Sequence, residues 1–435
     1  MKRIYRCLFL TLMLNLGLTF PAVSEPLYTL KELCSLANQN AETIQIAQEN
    51  LYIAEQDKER ARSVLIPRAT LYGRYLNYKN ADQMSPDTNT LGGKLTQSFT
   101  LNGRELIAYD VSKKGIEKAQ FSKEAVRSDY IFTVAQSYIR TLSNKRLVEV
   151  ADAEVERLTA YRNSVKEKLT VGNVTKTALY RAEAELSRAK TDHIVAVNNV
   201  DAAKANIVRL VGVEEGFRVS AEDVVNADDF SITRQEIEAS AKKNRYEIKE
   251  AQKAIEIAHR TVSYEKGDYW PSLDLEGGYN ENDIQYKGSS ADTKYDTENA
   301  YIQAQLTFTL YDGGLRGAQV RQALARERQA RQALADQKKV IVLQSTESYL
   351  EFEAAKNTLI NLEDELKSAQ ENYNAVQMQF KYGMADSIDI MDANSLLVGA
   401  QRRISNAEYT YYLAILKIIY TQGNILTHLL ADSGK

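Results

Sequence analysis

The chain repeats itself, so any fold it adopts must be built from two like halves. Val171-Gly172 and Tyr382-Gly383 lie 383 − 172 = 211 positions apart. The same offset joins Tyr138 to Tyr349, Val165 to Val376, Ala182 to Ala393, Leu186 to Leu397, Ala189 to Ala400 and Gly212 to Gly423. Upstream it contracts. Phe99-Thr100-Leu101 matches Phe308-Thr309-Leu310 at 308 − 99 = 209, and Pro67 matches Pro271 at 271 − 67 = 204. A collinear series of this kind is a duplication whose drift is absorbed by loop length.

Each half contains a helical hairpin. Proline costs roughly 3 kcal/mol in a helix interior, and none occurs between Pro86 and Pro271 or after Pro271. Glycine is missing between Gly115 and Gly172 and again between Gly317 and Gly383. Ala151, Val155, Leu158, Arg162, Val165 and Leu169 step by fours and threes, as do Leu362, Leu366, Ala369, Tyr373, Val376 and Phe380. After each glycine the rhythm resumes, through Leu179 to Ala189 and Ile390 to Tyr411, in the 3-4 pattern of coiled-coil packing. A helix over 104–170 would run roughly 100 Å at 1.5 Å per residue. Val171-Gly172-Asn173 and Tyr382-Gly383-Met384 are then the reversals.

Ahead of each hairpin stand two alternating segments. Ala69, Leu71, Gly73 and Tyr75 share one face, opposite Arg68, Thr70, Tyr72 and Arg74. Leu95, Gln97, Phe99 and Leu101 oppose Lys94, Thr96, Ser98 and Thr100. In the second half, Leu273, Leu275, Gly277 and Tyr279 behave in the same way, and so do Ile302, Ala304, Leu306, Phe308 and Leu310. Segments of about ten residues, apolar on one side, suit lipid-facing barrel strands with a wet interior. A soluble sandwich would carry the same alternation. Polar stretches from Lys79 to Leu91 and from Asp283 to Asn299 read as exposed loops. Four strands cannot close a barrel, and lipid does not tolerate an open sheet edge, so a membrane reading requires several chains per barrel.

The first residues argue for export. Lys2, Arg3 and Arg6 precede an apolar run from Cys7 to Phe20 and then Ala22-Val23-Ser24, the three parts of a signal peptide over 1–24. Its removal would take the net charge to −3 − 3 = −6, which disfavours nucleic acid as partner. Cys34 would be left alone, without an internal disulfide. Cys7 lacks the small residues before it that a lipoprotein signal needs, so no lipid anchor is expected. No other apolar run approaches the ~18 residues of a membrane helix.

With these elements in order, the chain resembles the TolC family of outer-membrane efflux proteins from Leu27 to about Leu426. The resemblance rests on Leu310-Tyr311-Asp312-Gly313-Gly314 with its echo Leu101-Asn102-Gly103, on Pro67 and Pro271, and on both hairpin turns. The second turn is followed by Asp389-Ile390-Met391-Asp392-Ala393. The resemblance implies a fold that is mainly α with a β-barrel portion: a homotrimer whose 12-stranded barrel stands in outer-membrane lipid on a helical tunnel through the periplasm of a Gram-negative cell. It implies a passive exit duct for efflux or type I secretion, recruited by a periplasmic adaptor and through it an inner-membrane pump, with no cofactor.

The family places an acidic ring where its tunnel narrows, and Asp389 and Asp392 match that place. Three apart on a helix, they present both carboxylates to one side, where six in a trimer would favour cations. Aspartate is also favoured in any first helical turn by the helix dipole. The family's closed-state latch of tyrosine, arginine and aspartate falls on Phe380, Ala385 and Ala178, which cannot make its polar contacts; Lys176, Lys381 and Asp386 are nearby charges that could replace it. The turn residues Val171, Gly172, Asn173, Tyr382, Gly383 and Met384 are the expected adaptor contacts. Pro67, Gly103, Pro271, Gly313 and Gly314 mark the barrel-to-tunnel transition. The family often has proline where Thr100 and Thr309 stand, which would alter the local bend. Tyr269 and Trp270 suit an interfacial aromatic belt.

The expected division is a first repeat over 25–212 (strands 67–78 and 92–102, helices 104–170 and 174–212) and a connecting equatorial segment over 213–245. The second repeat and tail fill 246–435 (strands 270–282 and 300–311, helices 314–381 and 386–426). Catalysis finds no footing. His193, His259 and His428 are scattered, Glu256 and His259 lack a second pair to complete a metal site, and no phosphate loop or nucleophile elbow occurs. A periplasmic adaptor would need one hairpin flanked by small β domains. A structural periplasmic coiled coil without a pore remains the other alternative.

Overall fold

The computed structural model describes residues 25–77, 86–221, 230–286 and 293–430. The expected signal peptide over 1–24 lies outside them, as do the turn formers at Ser85 and at Lys287-Gly288-Ser289. The elements run β1 Leu27–Tyr28, α1 Leu30–Asn40, α2 Glu42–Ser63, β2 Arg68–Leu76, β3 Asp87–Thr100, α3 Arg104–Thr170 and α4 Lys176–Val211. There follow β4 Arg218–Val219, α5 Arg234–Asn244, α6 Tyr246–Lys266, β5 Ser272–Tyr286, β6 Thr293–Thr307, α7 Leu315–Lys381, α8 Ser387–Thr421 and α9 Ile425–Leu430. The chain is mainly helical. No helix among the described residues is long and apolar enough to cross a membrane.

The duplication governs helix length. α3 and α7 each hold 67 residues, and their ends keep one offset, 315 − 104 = 381 − 170 = 211. The structure extends the repeat to a part that sequence periodicity did not reveal. The helix pair α1–α2 is matched by α5–α6, and each pair opens on a Thr-x-x-Glu capping box. Thr29 Oγ1 accepts from the Glu32 N–H (3.3 Å) while Glu32 accepts from the Thr29 N–H (2.8 Å). Thr233 and Glu236 do the same at 3.3 Å and 2.9 Å. Their offset, 233 − 29 = 204, is that of the two prolines. Residues 234–244 therefore belong to the second repeat, although they were expected in a connector.

The four longer strands form one antiparallel sheet, ordered β2-β3-β5-β6. Its register aligns the alternations into rows: Ala69, Leu95, Gly277 and Ile302 in one, Leu71, Gly93, Tyr279 and Ala300 in the next. That face is strongly exposed, to 89% at Leu71 and 93% at Ile302. The opposite face is polar and tied across strands, with Lys94 Nζ 2.9 Å from Glu276 and the Tyr301 hydroxyl donating to Glu276 at 2.7 Å. β2 and β6 are the edges, each with a single strand partner among the described residues.

Strand ends depart from expectation in both directions. β3 begins at Asp87 and β6 at Thr293, inside stretches expected as loops, because polar residues such as Asn89 and Asp296 continue the backbone ladder. Leu101, Phe308 and Leu310 were expected in strands and lie beyond them. β6 ends at Thr307 opposite Ser272, and the preceding Pro271 turns its carbonyl to the other side of β5, where it accepts from the Leu101 N–H at 3.0 Å. The last long helix breaks at Gly423 (φ 78°) before α9, where one helix to residue 426 was expected.

The chain divides into two compact units that cut across the repeats: Met1–Ala37, Val134–Asn226 and Ser368–Tyr409 in one, Asn38–Thr133, Ala227–Lys367 and Thr410–Lys435 in the other. The first holds both hairpin turns and a core around Leu158, Leu186 and Ala189 with Val155 and Met391 against it. The second holds the sheet and a core of Ala241, Ile248 and Ile341 with Leu334. In this second unit Phe132 stacks on Tyr420 (4.5 Å), whose hydroxyl donates to Asp129 at 2.6 Å.

Candidate functional site

Both hairpin turns lie in the first unit and share one backbone design. Asn173 N–H donates to the Lys168 carbonyl (2.9 Å) and Gly172 N–H to Leu169 (3.1 Å); Met384 donates to Gln379 (2.8 Å) and Gly383 to Phe380 (3.3 Å). This is the Schellman closure, which needs a left-handed residue after the helix. Gly172 (φ 78°) and Gly383 (φ 77°) supply it. Val171, Tyr382 and Met384 point outward, each about two-thirds exposed or more (69%, 67% and 73%).

The helices leaving the turns are capped differently. Thr175 accepts from the Ala178 N–H at 3.3 Å, and nothing answers it, because Ala178 has no polar side chain. Asp386, at the matching position 175 + 211 = 386, accepts from Ile388 (2.6 Å) and Asp389 (3.0 Å). Asp389 reaches back to the Asp386 N–H at 2.8 Å. Asp389, expected in the acidic ring, thus closes a capping box as well. Asp392, one turn further on, is exposed on the same side of α8.

Phe380, expected near the gate, is packed by side chains that were not expected there. Its ring is buried against Tyr161 (centroids 5.3 Å) and beneath the Lys168 ammonium (4.1 Å), and its carbonyl accepts from that ammonium at 2.5 Å. Tyr161 continues to Ser387, hydroxyl to hydroxyl at 2.7 Å, and burial raises its phenol above the usual range. Four side chains, Tyr161 and Lys168 of α3, Phe380 of α7 and Ser387 of α8, therefore join the two hairpins. Farther from the turns, Arg402 of α8 holds the buried Glu154 of α3 (2.9 Å) and Asp192 of α4 (3.1 Å).

Between the turns opens a cleft of about 770 Å³. Lys168, Arg181 and Lys381 line it, with Ala178, Ala385 and Asp386. Lys176 is exposed at the start of α4, and among the described residues neither it nor Lys381 pairs with Asp386, whose carboxylate is engaged as a cap. Sequence reasoning missed Tyr161, Lys168 and Ser387. The repeat gave no signal for them, since Tyr161 corresponds to Asn372 at 161 + 211 = 372.

At the transition from sheet to helix, Thr100 takes a bond that proline could not: its N–H donates to the Glu105 carboxylate at 3.0 Å and its hydroxyl at 2.9 Å. In the second repeat Asp312 accepts from the Gly314 and Arg316 N–H groups at 3.0 and 2.9 Å. Gly103, Gly313 and Gly314 sit at these bends, and Pro67 and Pro271 immediately precede β2 and β5. Tyr269 and Trp270 are half-exposed just before β5, with the Arg316 guanidinium 4.9 Å from the Tyr269 ring. Glu256 and His259 do not converge on a site: Glu256 binds Lys114 and Lys253, and His259 faces Glu327 at 3.2 Å. Among the described residues no group of three or more His, Cys, Asp or Glu could hold a metal ion.

Comparison with known proteins agrees with this architecture. The family model described as outer membrane efflux protein matches residues 33–213 and 239–419, one match to each repeat. The chain is 23% identical over 385 residues to outer membrane protein TolC of Escherichia coli K12, covering 84% of the chain and 76% of that protein. It is 23% identical over 408 residues to the alkaline protease secretion protein AprF of Pseudomonas aeruginosa, covering 89% and 83%. Among solved structures, the Campylobacter jejuni CmeC outer membrane channel superimposes with a TM-score of 0.79 at 18% identity, covering 91% of this chain and 86% of that one.

Proposed function

The chain belongs to the outer membrane efflux protein family, and from that premise we propose that it is a passive exit duct of the Gram-negative outer membrane, serving a tripartite efflux or type I secretion system. The observation that carries this reading is the sheet. One face is apolar and exposed across all four strands, the other is polar, and neither edge has a further strand partner among the described residues. In hydrocarbon each unsatisfied backbone group costs several kcal/mol, so the edges must be closed by other copies. Three chains of four strands give 3 × 4 = 12, a barrel wide enough for a wet lumen. The long helices would continue it as a coiled-coil tunnel through the periplasm.

In this duct the helical turns are the periplasmic mouth. Val171, Gly172, Asn173, Tyr382, Gly383 and Met384 would receive a periplasmic adaptor, which connects the duct to an inner-membrane pump. Exposure of large apolar side chains at both turns supports that role. Asp389 and Asp392 would form the acidic ring that favours cations. The links from Tyr161 and Lys168 to Ser387 and Phe380 would hold the two hairpins together in the resting mouth. No chemistry is assigned to the chain; the pump would supply the energy.

Two measurements test the reading. Cell fractionation should recover the protein with the outer membrane, and the purified protein should form conducting pores in planar lipid bilayers. Recovery in the soluble periplasm without pore formation would favour a structural coiled coil instead.

A further inference from the structure

The cleft between the hairpin turns carries a charge that closing the turns does not require. Lys168 and Arg181 reach it from the first hairpin and Lys381 from the second. Among the described residues that line it, Asp386 alone is acidic, and its carboxylate is engaged by the N–H groups of Ile388 and Asp389. Arg181 and Lys381 are exposed, and neither has an ion-pair partner among the described residues. Lys168 is held in place by the Phe380 ring and carbonyl, which leave its charge uncompensated. None of the three cations belongs to the shared turn design. Lys168 stands where the second hairpin has Gln379, Arg181 where it has Asp392, and Lys381 where the first has Thr170 (379 − 168 = 392 − 181 = 381 − 170 = 211). The helix starts differ in the same sense. Asp386 puts an anion at the start of α8, whereas the equivalent cap of α4 is the neutral Thr175. Thr175, Thr177 and Ala178 line the cleft, so the positive end of the α4 dipole adds to its charge.

We infer that this cleft binds a small tetrahedral oxyanion of the phosphate or sulfate class, held by Arg181, Lys168 and Lys381. Cations arriving from both hairpins suit a polyvalent anion with oxygens on every side better than a single carboxylate. Arginine meets such an anion through its planar fork and lysine as a point charge. The cleft, about 770 Å³, has room for the anion with bridging water. Burial raises the Tyr161 phenol, Asp386 raises it further and Arg181 lowers it, so the Arg181 charge acts at the Tyr161–Ser387 contact that joins the hairpins. An anion between Arg181 and Lys381 would add a second tie at that place, and its occupancy would hold the turns together. The binding site stands on the geometry of one chain. Its consequence for the mouth rests on the duct proposed above.

Calorimetric titration of the purified full-length protein with inorganic phosphate, at constant ionic strength, tests the site. Saturable binding with a Kd on the order of 1 mM is expected. Arg181→Gln and Lys381→Gln should each weaken it roughly tenfold. Lys166→Gln removes the same charge from an exposed position on α3 outside the cleft and should leave binding unchanged. Absence of saturable binding, or equal affinity in the wild type and in both cleft variants, would overturn the site. Hydrogen exchange over 168–178 and 379–389 should slow when phosphate is added. Phosphate that binds without slowing exchange at either turn would overturn the tie between the hairpins. A chain that binds phosphate but forms no pores in planar bilayers would overturn the duct and leave the site standing.

Discussion

The two hairpin turns share a backbone and differ in charge. Gly172 and Gly383 close the same Schellman geometry 211 residues apart, and Thr175 and Asp386 cap the outgoing helices at equivalent positions. Beyond the cap the copies part. The first has Ala178 and Arg181 where the second has Asp389 and Asp392. The two turns keep one geometry, while only the second carries the carboxylates. A tunnel mouth built from both turns can therefore alternate plain and acidic hairpins without changing shape. The difference also separates the helix cap that Asp389 makes from the charged ring proposed for it, which its position alone confounds.

The largest expected effect separates those roles. Asp389→Asn with Asp392→Asn should bring the cation selectivity of single channels close to unity. The amide oxygen at 389 can still accept from the Asp386 N–H, so the turn should keep its stability. Asp389→Ala should lose both, and unchanged selectivity in the double variant would sink the ring.

Next comes the packing around Phe380. Phe380→Ala should cost about 3–5 kcal/mol of local stability, the range for a buried aromatic. Its counterpart Leu169 (380 − 211 = 169) is half-buried and should cost about 1–2 kcal/mol as alanine. Hydrogen exchange at the two turns reads this directly, and equal protection losses would mean that the link to Tyr161 and Lys168 adds nothing. The caps should differ less. Asp386→Ala should cost about 1–2 kcal/mol and Thr175→Ala about 1 kcal/mol, because only the former breaks a reciprocal box; thermal melts of the two variants rank them.

The smallest effect belongs to the short helix pairs, where Cys34 stands at the place of Glu238 (238 − 204 = 34). Burial pushes the Cys34 thiol up to about 12, while Glu238 is paired with Lys242. A thiol whose folded pKa is raised contributes stability below its unfolded value, and this is lost as the pH rises toward 12. Cys34 should therefore resist maleimide at pH 8 until the chain is unfolded, and Cys34→Ser should soften the decline in stability above pH 9.

What the sequence made legible followed from patterns that repeat over short distances. The long helix over 104–170 was readable because neither proline nor glycine interrupts its second half, and the strand faces were readable because their period is two. The helix pair 30–63 escaped notice although Thr29 and Glu32 carry the same cap as Thr233 and Glu236. Its offset is 204, which looked like loop drift around two prolines. Strand ends depend on partners: Thr307 ends β6 opposite Ser272, the first residue of β5, which stands 35 positions away (307 − 272 = 35). Asp389 and Asp392 could be singled out from their spacing and the family resemblance. Tyr161 could not, because it meets Ser387 only after two long helices bring them together.

The proposed duct requires several copies to close the open sheet into one barrel. Electron cryomicroscopy of the detergent-extracted protein tests it most directly. The duct predicts threefold particles in which β6 of each chain pairs with β2 of the next to complete a closed barrel. Single chains, or assemblies whose β2 and β6 edges remain unpaired, would contradict it.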